Sequence, residues 1–228
     1  KKILVVGLAR TGVALSKFLV SQGANVTVSD HKSKAELADY LEMMDGVDVK
    51  YELGGHTPKT FLQQDLVILS PGISPQLKIF EYARSQGVKV TGEFEFASQY
   101  IDKPMIAVTG TNGKTTVSHL IKAFLENSGK KVWLGGNTNE PLSSFLISNQ
   151  DVDIDIAEVS SFQLEHVENF NPRNIVFTNL AENHLDRYRN MEEYVNAKRR
   201  IFLNTNQATT SILNADDNAV VELARDPA

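Results

Sequence analysis

Short apolar runs alternate with amphipathic stretches along the chain. Lys2 to Val6 is an apolar run closed by Gly7, apolar residues then recur at helical spacing (Val13, Ala14, Phe18, Leu19), and "NVTVSD" is a second extended run. Strand, helix and strand in quick succession open a parallel, doubly wound sheet. The rhythm repeats: Lys34 to Met44 predicts a helix, Asp65 to Leu69 a buried strand, Leu77 to Ser85 a helix and Val88 to Val90 a short strand. "GEFEFASQYIDKP" predicts a short helix and a linker, with Pro104 at the boundary.

A second unit begins at "MIAVTG". A glycine loop follows, then a helix from Thr115 to Asn127, strands at Val132 to Leu134, Asp153 to Val159, Asn174 to Thr178 and Thr210 to Leu213, and a helix at Met191 to Phe202. The expected fold is α/β: a Rossmann-like parallel-sheet domain over residues 1–92, then a P-loop-type α/β ATPase domain over residues 93–228. No fixed-period repeat or low-complexity tract competes with this reading.

Composition narrows the chemistry. The 228 residues are 42% hydrophobic and 22% charged, enough apolar mass for two modest cores. Apolar runs such as "ILVVGLA" and "DLVILS" fall well short of the roughly 18 residues of a membrane span. The absence of cysteine removes disulfide and thiolate chemistry and fits a reducing cytoplasm. A net charge of −5 argues against a broad nucleic-acid surface, so any anionic ligand must be held by local devices. The opening "KK" lacks an initiating Met, and residues are expected to be missing there.

Three loops supply such devices. In "GLARTG", Gly7 and Gly12 stand where a dinucleotide fingerprint has its first and third glycines, and Asp30 ends the next strand in the place of a ribose-binding acid. Ala9 replaces the middle glycine, which weakens a nicotinamide reading and leaves a tight turn feeding a helix N-terminus. "SPGIS", Ser70 to Ser74, follows another apolar strand and belongs at the same carboxyl edge of the sheet.

The third loop is "TGTNGKTT". A standard P-loop reads GxxxxGK[ST], but Val108 occupies the first glycine position, so Gly110, Gly113, Lys114 and Thr115 carry the match. The backbone N–H groups form an anion nest, with Lys114 placed for outer phosphates and the Thr115 hydroxyl for Mg2+. Alternation along "DIDIAEVSS" sends Asp153 and Asp155 to one face and leaves Glu158 on the apolar face at the strand end, where a carboxylate needs a partner or a metal. His184, in "NHLDRY", is a candidate metal or phosphate contact. Lys198, in "NAKRRIF", reads by pattern alone as a solvated cation.

Taken together, "TGTNGKTT", "GGN" at Gly135 to Asn137, "AEVSSFQL", "NHLDRY" and "YVNAKRRI" resemble, in order and spacing, the Mur ligases. These ATP-dependent amide-forming enzymes build the peptidoglycan stem peptide, and the shortened phosphate loop is similar to theirs and to that of folylpolyglutamate synthases. "GLARTG" and "SPGIS" resemble the members that add L-alanine or D-glutamate, and "EVSSFQL" those that add D-glutamate.

The resemblance implies UDP-MurNAc-L-Ala and D-glutamate as substrates, with Arg10, Thr11, Asp30, Ser70, Gly72, Asn137, Ser160 and His184 at the UDP-sugar. It implies Gly110, Thr111, Asn112, Gly113, Lys114, Thr115 and Thr116 at ATP, and Thr115, Glu158, His184 and a carbamylated Lys198 at magnesium. Asn183 departs from the family, in which Asp commonly precedes the histidine. A C-terminal domain is expected beyond Ala228, and the protein is expected to be a cytoplasmic monomer. A catalytically silent nucleotide-sugar binding module, an L-alanine-adding Mur ligase, a nicotinamide oxidoreductase and a folylpolyglutamate synthase are the alternatives.

Overall fold

The computed structural model describes residues 1–74, 77–148, 150–183 and 187–225. These form two compact units, Lys1–Ala97 with Pro141–Asn149, and Ser98–Glu140 with Gln150–Ala228. The division does not follow a single cut at residue 92, because Glu93–Ala97 and an excursion at 141–149 pack with the first unit.

In the first unit the strands β1 (Lys2–Val6), β2 (Asn25–Asp30), β3 (Val49–Leu53), β4 (Leu66–Leu69) and β5 (Lys89–Gly92) form a sheet of order β3-β2-β1-β4-β5. Every pairing is parallel. Helices α1 (Arg10–Ser21), α2 (Ala38–Glu42), α3 (Pro58–Leu62), α4 (Lys78–Ser85) and α5 (Glu93–Ser98) occupy the connections. Strand order reverses between β1 and β4, so "GLARTG" and "SPGIS" flank the position where open α/β sheets take their ligands.

The helix expected over 34–44 is confined to α2, and β3 and α3 were not foreseen. The β3 sequence "VKYEL" lies at the sheet edge with exposed Tyr51, so its pattern is too polar to read as a buried strand.

The second unit repeats the architecture with β6 (Met105–Thr109), β7 (Val132–Gly136), β8 (Ile154–Glu158), β9 (Asn174–Phe177) and β10 (Thr210–Leu213), in the order β10-β9-β6-β8-β7, again with parallel pairings. Its main helices are α6 (Lys114–Asn127) and α9 (Met191–Arg199), with the short α8 (Ser161–Leu164) and α10 (Asn218–Arg225). The excursion helix α7 (Leu142–Ser148) packs on α1 of the first unit, where Leu146 joins the apolar core. No helix among the described residues is long and apolar enough to cross a membrane.

Strand β8 is covered on both faces, as interior strands of parallel sheets are, so the polar face expected from its alternation does not exist. Asp155 is fully buried there with neither carboxylate oxygen hydrogen-bonded among the described residues. Burial lifts its pKa to about 6, with Asp102 adding to the effect and Lys103 opposing it.

Gly12 shows how tightly α1 follows β1: a Cβ there would lie 2.0 Å from the carbonyl oxygen of Gly7. Backbone cannot yield as a flexible side chain can. Gly12→Ala is therefore expected to destabilise the first unit by about 1–3 kcal/mol. Urea denaturation checks this, and an unchanged midpoint would contradict the close packing.

Candidate active site

The phosphate loop leaves β6, the central strand of the second sheet, between β8 and β9. Gly110 passes so close to β9 that a Cβ would sit 2.0 Å from Thr178 Oγ1, and its φ of +141° favours glycine. The loop is then braced against the segment after β9. The N–H of Thr111 donates to Asn179 O (2.9 Å), that of Asn112 to Asn179 Oδ1 (2.9 Å), and Thr178 Oγ1 and Asn179 Nδ2 donate to Asn112 O (2.7 and 2.9 Å). The buried Thr111 hydroxyl lies 3.0 Å from Tyr194 OH of α9 and accepts from the N–H of Ala181 (3.0 Å). Sequence reading missed these braces, whose only signal is polar "TNL" directly after a buried strand.

Gly113 is the N-cap of α6, and no side chain caps that helix. The N–H groups of its first turn, at Lys114, Thr115 and Thr116, have no intrahelical acceptors and form an anion-binding end. Lys114 Nζ donates to Thr111 O (2.9 Å). Burial lowers the Lys114 pKa, and the nearby Glu158 carboxylate opposes that shift.

Glu158, buried at the end of β8, is held at both oxygens. Thr115 Oγ1 donates to Oε2 (2.7 Å) and Asn137 Nδ2 to Oε1 (3.0 Å). Asn137 is positioned from the end of β7 by its N–H bond to Glu158 O (2.8 Å). The pattern-based expectation for Glu158 thus acquires partners. Asn137, expected at the sugar, donates its side-chain amide to this carboxylate. Ser160 is the N-cap of α8, its hydroxyl engaged with Gln163 in a capping box.

Lys198 is 1% exposed, which corrects the solvated reading. Its Nζ donates to Gly110 O (2.8 Å) and, at longer range, to Thr109 Oγ1 (3.4 Å), and stands 5.1 Å from the Tyr194 ring centre. Burial, reinforced by the charge of Lys114, brings its pKa down to about 7. The solvated reading failed because α9 turns the Tyr194, Ala197 and Lys198 side inward. His184 lies outside the described residues.

Among the described residues no three His, Asp or Glu side chains cluster as metal ligands. The Glu158 carboxylate and Thr115 hydroxyl are nonetheless a hard-oxygen pair, and Mg2+ is commonly held by one or two carboxylates with substrate phosphates and water. The donor set fits that ion.

In the first unit, Asp30 gathers the loops. Its Oδ2 accepts from the N–H of Leu8 (2.7 Å) and its Oδ1 from that of Lys32 (2.9 Å). Ser70 Oγ donates to Gly7 O (3.1 Å), joining "SPGIS" to "GLARTG". Arg10 and Thr11 open α1, and Gly72 lies at the exposed turn after β4.

Two glycine-bearing strand-to-helix loops, one on each of two successive parallel sheets, define a class, an α/β protein with two parallel-sheet units. The Mur ligase middle domain matches residues 108–227 and the Mur ligase MurD-like N-terminal domain residues 1–92. The chain belongs to the Mur ligase family.

It is 67% identical to the UDP-N-acetylmuramoylalanine--D-glutamate ligase of Bdellovibrio bacteriovorus over 100% of this chain and 49% of that protein. It is 47% identical to the same-named ligase of Geobacter sp. (strain M21) over 98% of this chain and 50% of that protein. The chain thus spans about half the length of these relatives. Among solved structures, UDP-N-acetylmuramate:L-alanyl-gamma-D-glutamyl-meso-diaminopimelate ligase from Neisseria meningitides has a TM-score of 0.65 at 15% identity, covering 99% of this chain and 74% of that one. The UDP-N-acetylmuramate-alanine ligase of Thermotoga maritima has a TM-score of 0.55 at 22% identity, covering 97% of this chain and 51% of that one. Both share the fold.

The environment of Lys198 has a measurable consequence. Its folded-state pKa of about 7 lies below the ordinary 10.5, so between those values the unfolded chain binds the additional proton. Stability therefore rises with pH across that window: it is lost progressively as pH falls from 10.5 towards 7, and below 7, where both states carry the proton, this group adds no further slope. Lys198→Met should remove a slope of up to about 1.4 kcal/mol per pH unit. Denaturant titrations between pH 7 and 10 in bicarbonate-free buffer check this. Parallel profiles for wild type and variant would contradict the buried-amine assignment.

Proposed function

We propose that the intact protein is an ATP-dependent ligase that adds D-glutamate to UDP-MurNAc-L-Ala in the cytoplasm, a step of peptidoglycan precursor synthesis. The observation that carries this reading is the meeting of Lys114, Thr115 and Glu158 at the mouth of the phosphate loop. The similarity to D-glutamate ligases supports the choice of amino acid.

The alanyl carboxylate is a poor electrophile and must be activated. In the proposed reaction a carboxylate oxygen attacks the γ-phosphorus of ATP, the bond to the bridging oxygen breaks, and an acyl phosphate and ADP result. The amine of D-glutamate adds to the acyl carbon, loses a proton, and phosphate departs from the tetrahedral intermediate. Bound Mg2+ would neutralise phosphate charge during transfer.

The chain's own groups divide the work. The first-turn N–H groups of α6 and the loop from Gly110 to Thr116 hold the ATP phosphates. The Lys114 ammonium stabilises charge on the transferred oxygens. Thr115 and Glu158 supply oxygens to the metal, with Asn137 orienting Glu158, and His184 is a further proposed ligand. Arg10, Thr11, Asp30, Ser70 and Gly72 take the nucleotide part of the UDP-sugar in the first unit.

Lys198 is proposed to be carbamylated. A pKa of about 7 leaves a neutral amine fraction under cytoplasmic conditions, and its Nζ can bond to the carbon of CO2 and release a proton. The product is an anion in place of a cation, which suits a magnesium site.

Phosphate release by the full-length protein with ATP, Mg2+ and UDP-MurNAc-L-Ala tests the reading. Release should require D-glutamate, fail with L-glutamate, and fall at least about a hundredfold in Lys114→Ala, the scale of losing one transition-state stabiliser. Nucleotide-sugar binding without release under any condition would favour a binding module. Near-normal turnover in Lys114→Ala would remove the assigned role.

A further inference from the structure

A second side-chain network lies behind Asp30, and no nucleotide-site motif contains its residues. The loop after β3, Gly54 to Thr57, docks on the loop after β2: Gly54 N–H donates to Lys32 O (2.8 Å) and Gly55 N–H to Asp30 O (3.2 Å). Asp30 in turn binds the N–H of Leu8, so the segments following β1, β2 and β3 are hydrogen-bonded into one assembly.

Beneath it, His56 Nδ1 lies 2.7 Å from Oγ of the fully buried Ser29, and that hydroxyl donates to Glu52 Oε2 (3.2 Å). Thr57 Oγ1 donates to Glu52 Oε1 (2.6 Å), so both carboxylate oxygens are engaged.

Proton counting fixes the direction of this chain. Ser29 has a single hydroxyl proton, and the carboxylate can only accept it. His56 must then carry hydrogen on Nδ1 and donate to Ser29. Burial lowers the His56 pKa against the opposing fields of Asp30 and Glu52, while His31 adds to the lowering, and this favours the neutral ring. The Phe61 ring meets His56 edge-on at 6.0 Å and holds its plane. The order His56, Ser29, Glu52 is therefore directional, and it ties the β3 loop to the residue directly preceding Asp30.

We infer that His56, acting through Ser29 and Glu52, is a positioning residue for the Asp30 loop that receives the nucleotide part of the UDP-sugar. The inference rests on the nucleotide-sugar reading of the first unit. His56 acts on the geometry of another residue, so its loss should weaken nucleotide binding and leave turnover at saturation intact.

The test uses the full-length protein and UDP as probe, by isothermal titration, with KM for UDP-MurNAc-L-Ala and kcat measured in parallel. His56→Leu should weaken UDP binding and raise KM about tenfold with kcat changed less than twofold. His56→Asn, whose side-chain N–H can replace Nδ1–H, should recover most of the affinity. Ser29→Ala should match His56→Leu, and the double variant should be no worse than either, as members of one chain behave.

Wild-type UDP affinity in His56→Leu, even with a lowered melting temperature, would reduce the network to a structural role and overturn the inference. Equal losses in His56→Leu and His56→Asn would also overturn it. Failure of the wild type to bind UDP would remove the nucleotide-sugar reading itself, and the inference with it.

Discussion

A carboxylate buried at the end of a central strand is tolerable only when its charge is met, and Glu158 organises its surroundings on that requirement. Thr115 at the start of α6 and Asn137 at the end of β7 each give it one hydrogen bond, so the ends of β7 and β8 and a helix N-terminus converge on one group. Lys198 is held a short way off on the carbonyl of Gly110, its charge disfavoured by burial and by Lys114. The result is a site of fixed oxygens and amines with perturbed proton affinities, the kind of preset electrostatics that phosphoryl transfer uses.

The two units solve one physical problem in different ways. Both place loops at the carboxyl ends of parallel strands, where helix N-termini favour anions. In the first, a strand-end carboxylate, Asp30, is spent on backbone N–H groups and serves to shape the loops. In the second, Glu158 is paired with side chains that can reorganise around a metal. The same residue class at the same topological position thus acts as a structural clamp in one sheet and, in the other, is the oxygen donor proposed for a metal.

Much of this was legible in the sequence. The apolar runs of β1, β4, β6 and β9 and the three glycine loops followed from periodicity and turn chemistry, because interior parallel strands and strand-to-helix turns leave strong local signals. Glu158 could be singled out because alternation put a charge among apolar neighbours. Lys198 could not, since its burial depends on how α9 packs, and only the family resemblance pointed to it. Asp155 was assigned to a polar face that the fold covers. The polar edge strand β3 escaped notice, and with it the His56 network, whose partners are 27 and 23 residues apart for Ser29 with His56 and with Glu52. Long-range side-chain pairing of that kind has no local signature.

The most direct test of the account is manganese binding, followed by electron paramagnetic resonance, to the full-length protein in the presence of a non-hydrolysable ATP analogue, for wild type and Glu158→Gln. The variant keeps the size of the side chain and loses its charge. At least tenfold weaker metal affinity, with nucleotide still bound, is the predicted result. Equal affinity in the two proteins would contradict the assignment of Glu158 as the anchoring oxygen of the site.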